Sequence, residues 1–83
     1  MSAITINVQD LYAHTNQAKL SEIEDYEKKC LELAGQGTEV ILTGPGPIWL
    51  YLRLAHTLHA KARLLWYESP VTGRIEIFNH NPY

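Results

Sequence analysis

The chain has 83 residues and a formal net charge of -2, which excludes a large enzyme and argues against binding nucleic acid by bulk electrostatics, while leaving room for a small nucleotide held by local contacts. Hydrophobic residues make up 46% and charged residues 19%, an ordinary globular composition rather than a disordered one. Cys30 is the only cysteine and no CxxC pattern occurs, so neither a disulfide framework nor a structural zinc site is expected.

Residues 1–83 read as one domain, without repeat or linker. A domain of this size buries only roughly 60 to 65% of its unfolded surface, so self-association is a reasonable expectation. The N-terminus lacks the basic region and apolar core of a signal peptide, and no run reaches membrane-spanning length, so neither a membrane nor DNA is an expected partner and the cytoplasm is the expected location.

Taken in chain order, the hydrophobic period switches several times. Ile4, Ile6 and Val8 alternate with polar residues, as a half-buried strand would. Residues 9–20 are polar and unpatterned. From Ser21 a helix is predicted: Ser21 and Glu24 form a capping-box pair, and Ile23, Tyr26, Cys30 and Leu33 fall on one stripe. Glu24 with Lys28 and Asp25 with Lys29 have the favourable i,i+4 order, and Gly35 and Gly37 supply the stop. A second strand (39–43), a second helix (about 48–60), a third strand (62–68) and a fourth (74–80) follow, the last two joined by the hairpin connection Ser69-Pro70-Val71-Thr72-Gly73. The order predicts an α/β fold, a small Rossmann-like βαβαββ sheet that is mostly parallel with an antiparallel edge hairpin.

Parallel sheets bind ligands beyond the carboxyl ends of their strands, which here carry Thr43, Gly44, Pro45, Gly46 and Glu68. Two glycines would let the backbone approach an anion, and the N–H groups of the next helix would face it, with Pro47 in its first turn. Spacing alone fits a tight turn with Trp49 in the core equally well, and both readings stay open.

The histidines are the second unusual feature. Helical projection puts His59 amid Ile48, Leu52 and Ala55, where a core histidine is the commoner case, and puts His56 near Trp49. His80 is predicted to share a face with Arg74, Glu76 and Phe78. Strand directions bring His59 and His80 to one edge of the sheet and Glu68 to the other, roughly 20 Å away at strand rise. If the three act on one substrate, they must come from different subunits.

The block Gly44-Pro45-Gly46-Pro47-Ile48-Trp49-Leu50, with Leu54-Ala55-His56-Thr57-Leu58-His59, Tyr67-Glu68, Gly73 and His80, resembles the small CRISPR-associated ring nucleases of type III systems, manganese-dependent proteins distantly related to CARF domains. The resemblance spans roughly residues 39–80. It implies a phosphodiesterase that cuts cyclic tetra-adenylate and so switches off antiviral signalling, with adenylate-ended RNA as a further substrate. It also implies a ring held between two homodimers, in a ligand-bridged tetramer, and catalysis by residues of opposing subunits. By position, His59 matches the family's essential histidine, Glu68 stands where the family has an aspartate, and His80 matches the terminal histidine associated with Mn2+, with Glu68 as its carboxylate partner. Thr43, Gly44, Pro45 and Gly46 match the ligand-cradling loop, to which Arg53 or Arg74 would add charge and His56 a further contact. Two other classes stay in view: a non-catalytic module that sequesters a cyclic oligoadenylate, and a structural protein in which Trp49, Tyr51 and Trp66 form an oligomer interface.

Overall fold

The computed structural model describes residues 3–15 and 17–80; the first two residues of the N-terminus and position 16 of the unpatterned segment lie outside the described residues. Four strands, β1 (Ile4–Asn7), β2 (Glu39–Thr43), β3 (Leu64–Ser69) and β4 (Gly73–Asn79), and two helices, α1 (Ile23–Ala34) and α2 (Ile48–His59), are joined with 3₁₀ turns at Val8–Leu11 and Leu20–Glu22. The sheet order is β1-β2-β3-β4. The first three strands are parallel and β3–β4 is an antiparallel hairpin, the predicted topology. Because both crossovers step the same way across the sheet, right-handedness puts both helices on one face, where α1 and α2 pack on each other.

Val40 and Leu42 in β2 and Leu65 in β3 point to the helix layer and are fully or almost fully buried. Leu50, Leu54 and Leu58, spaced by four residues along α2, meet them with no exposed surface. Each such leucine contributes about 1.5–3 kcal/mol of burial. On α1 the inward stripe is Ile23, Tyr26, Cys30 and Ala34; Leu33 lies on the flank and is half exposed. A perfect 3.6-residue period drifts, and from Tyr26 it reaches Ala34 sooner than Leu33.

Four local details differ from the sequence reading. Val8 is buried but belongs to the 3₁₀ turn rather than to β1. The capping box is not made: Glu22 is the N-cap of α1, without a side-chain cap, because the preceding 3₁₀ turn draws Ser21 into itself. Pro47 is the N-cap of α2, extended at ψ 153°, rather than its first helical residue. The ion pair of α1 runs not along the helix but across to α2, from Glu27 to Arg53 at 3.0 Å, with the Thr57 hydroxyl donating to the same carboxylate.

The largest difference lies in β4. Leu65 faces Phe78 while Trp66 faces Glu76, so Ile77 is an extra residue and forms a β-bulge. Beyond it the alternation changes phase. Phe78 and His80 therefore stand on the helix face, and Arg74 and Glu76 on the bare face opposite Glu68 and Trp66, which corrects the shared face predicted for all four.

Candidate functional site

Two groups of the predicted residues are assembled, at opposite ends of the sheet. At the carboxyl end of the parallel strands a cleft of about 760 Å³ is lined by Thr43, Gly44, Pro45, Gly46, Tyr51 and Glu68, among others. The loop is clamped by its carbonyls: Tyr12 donates its hydroxyl to Pro45 O at 2.6 Å and Tyr51 donates to Gly44 O. A trans peptide aims its N–H opposite to its C=O, so tying Pro45 O inward turns the Gly46 N–H outward. The start of α2 has no side-chain cap, which leaves its first N–H groups facing the same end.

The glycines have a packing explanation. Gly44 has φ +99°, and a Cβ there would collide with the Asn7 side chain, itself held by accepting from Gln9 N at 3.0 Å. A Cβ on Gly46 would lie 2.8 Å from Val8. Both glycines let the loop lie against the end of β1. The tight-turn reading thus accounts for them, while the outward amides keep the anion reading alive.

Tyr51 was not singled out as a site residue, yet it holds the loop and meets Tyr67 edge to face with ring centres 5.0 Å apart. Burial, followed by the neighbouring Tyr67 and Tyr12, pushes its hydroxyl up from 10 to about 12. Because the folded value lies above the unfolded one, stability from this group is fully present below pH 10 and is lost as pH rises through about 12. A falling denaturation midpoint is expected over that window, with a smaller fall in Tyr51→Phe; equal slopes in both proteins would assign the loss elsewhere.

Thr43 donates to Glu68 O at 3.1 Å, tying β2 to β3 at the cleft. The Glu68 carboxylate accepts from Arg74 Nε at 3.0 Å, and both side chains are about half exposed. Of the two arginines considered for phosphate binding, Arg74 therefore stands at the cleft. Arg53 points to α1 and Glu27. His56 is exposed and lies eight residues along α2 from its start, about 12 Å by helical rise, so within one chain neither Arg53 nor His56 adjoins the loop.

At the opposite end His59, Phe78 and His80 form a ring cluster. His59 and His80 have ring centres 4.5 Å apart, and His59 meets Phe78 at 5.1 Å. His59 is exposed, not a core residue: the buried stripe of α2 is Leu50, Leu54 and Leu58, whereas Ile48 and Leu52 on the His59 stripe are 78% and 66% exposed. The bulge delivers His80, since without it the imidazole would emerge on the bare face. The backbone fixes it too, His80 N donating to Arg63 O at 2.7 Å.

Mn2+ takes oxygen ligands in octahedral arrangements, and this donor set does not fit it within one chain. No group of three or more His, Cys, Asp or Glu side chains that could hold a metal occurs among the described residues, and the Glu68 carboxylate lies at the far end of β3 from the two imidazoles. Cys30 is no substitute, being buried with its thiol pushed up to about 12 by burial and Glu27. No helix among the described residues is long and apolar enough to cross a membrane.

Fold and site together define a small α/β protein with an amide-presenting loop at one end of its sheet and a histidine pair at the other. The family of the CRISPR-associated protein (Cas_csx3) matches residues 14–83, and the chain belongs to it. The match takes in α1 as well as the glycine loop, the histidines and β4. No curated protein and no solved structure gives a significant match.

Proposed function

We propose that the protein is a ring nuclease that cleaves cyclic tetra-adenylate and so ends a type III CRISPR signal, with an active site shared between subunits. The observation that carries this reading is the His59–His80 pair, 4.5 Å between ring centres, in a CRISPR-associated family member. Imidazoles serve as proton donors and acceptors near neutral pH. One takes the proton from a ribose 2′-hydroxyl as its oxygen attacks the adjacent phosphorus, and the P–O5′ bond breaks. The other protonates the departing 5′-oxygen. Two such cuts convert the ring to two linear di-adenylates ending in 2′,3′-cyclic phosphates, and no water is consumed. The loop Thr43–Gly46 and the start of α2 would bind a phosphate through outward N–H groups, with Arg74 beside them.

Manganese dependence belongs to the same proposal on one condition. An oxygen donor must reach the imidazoles from another subunit, and Glu68 is the carboxylate whose position in one chain leaves it available for that. Glu68 is also already paired with Arg74, an arrangement suited to a binding module that holds the ring without cutting it. Incubation with cyclic tetra-adenylate, with and without Mn2+, separates the readings by chromatography of the products. Linear di-adenylate is the expected product; ring recovered intact after binding would make the protein a sequestering module, and absence of binding would remove the nucleotide reading.

A further inference from the structure

β4 is an edge strand of seven residues, and no strand pairs with its outer side among the described residues. Beside it runs an apolar groove of about 270 Å³ between α2 and the hairpin, walled by Ile48, Leu52 and Ala55 on one side and by Tyr67 and Ile77 on the other. Ile48 and Leu52 are 78% and 66% exposed, and Ile75 and Ile77 are 43% and 47% exposed. Together these four present on the order of 400 Å² of apolar surface, the size at which a patch marks an interaction site. An edge with unpaired backbone groups beside such a patch is a template for another strand.

We propose that this edge and groove dock a second copy of the chain, β4 against β4, antiparallel about a two-fold axis. Only an antiparallel arrangement lets a strand pair with its own copy isologously. The charges favour it: centring the pair on Ile75 sets Arg74 opposite the partner's Glu76, and symmetry repeats the attraction. Edges that avoid pairing carry like charges, which repel their own copy; this one alternates sign, with Arg74 and Glu76 flanking the isoleucine. The eight-stranded sheet that results puts the two α2 stripes side by side over the junction.

The antiparallel arrangement also turns the histidine end of one chain toward the cleft end of the other, since the two ends cap opposite termini of β4. That consequence rests on the proposed activity; the docking does not.

Ile75→Cys tests it directly. Cys30 is buried and free, so the new thiol is the only accessible one, and antiparallel cross-strand neighbours lie within disulfide reach. Mild oxidation is expected to give a covalent dimer, whereas Thr5→Cys, exposed on the opposite edge strand, is expected to give none. By light scattering the wild-type protein is expected at twice its chain mass, with Glu76→Arg and Leu52→Asp at single mass and native circular dichroism, since both side chains are exposed. A monomeric wild-type protein, a dimer that survives both substitutions, or an Ile75→Cys protein that fails to cross-link would overturn the proposal. None of these readouts involves a nucleotide, so the outcome is independent of whether the ring is cleaved.

Discussion

Alanine in place of His59 is expected to lower the rate of cyclic tetra-adenylate cleavage by about 10²- to 10⁴-fold, the range over which a positioned acid or base contributes. The side chain is exposed and packs only at the ring cluster, so folding should be unaffected and the loss should appear in kcat rather than in ring binding. His80→Ala should lose a similar factor, because each imidazole has one of two proton transfers to perform. The shared site makes a sharper demand. Neither His59→Ala nor Glu68→Gln should turn over alone, yet an equal mixture should recover roughly a quarter of wild-type activity, because half the histidine positions and half the glutamate positions are intact and independently distributed in a symmetric assembly. Recovery at the level of the separate variants would place both residues in one chain's site or leave Glu68 without a role, and wild-type activity in His59→Ala would end the assignment.

The second large effect concerns stability. Leu54 has no exposed surface and sits between Leu50 and Leu58 in the stripe that joins α2 to the sheet. Leu54→Ala is expected to cost about 2–5 kcal/mol, lost transfer energy plus the cavity left behind. For a domain whose whole stability is of the order of 5–15 kcal/mol, that is enough to move the urea midpoint far down. Leu20→Ala, at a site 65% exposed, is expected to stay within about 0.5 kcal/mol. A Leu54→Ala loss below 1 kcal/mol would mean that α2 closes over the gap and is not held where its burial indicates.

Much of the architecture was legible because the elements announce themselves locally. The alternation at Ile4 and Ile6, the β-branched run ending at Thr43 and the Pro-Val-Thr-Gly connection each need only a few neighbours to be read, and handedness supplies the rest of the topology. What was not legible depends on partners distant in sequence. Nothing in Arg74-Ile75-Glu76-Ile77-Phe78 marks Ile77 as extra; the bulge exists because Phe78 pairs with Leu65. The apolar stripe through Ile48, Leu52 and Ala55 looks as suited to a core as the one through Leu50, Leu54 and Leu58, and only the placement of β4 beside α2 leaves the former uncovered. The convergence of His59 with His80 followed from strand direction alone, whereas the clamping of the loop by Tyr12 and Tyr51 had no sequence signal, since Tyr12 lies in the unpatterned segment 33 residues from its acceptor.

The bulge at Ile77 makes the histidine pair a matter of counting. Deleting that one isoleucine would leave every named side chain in the chain and every motif readable, yet the residues after it would swing through half a pleat and His80 would leave His59 for the bare face. A comparison of relatives that tolerates a one-residue gap in this strand would therefore score as intact a protein whose two imidazoles never meet. Strand length up to the terminal histidine, more than the histidine's presence, is the character to compare among relatives.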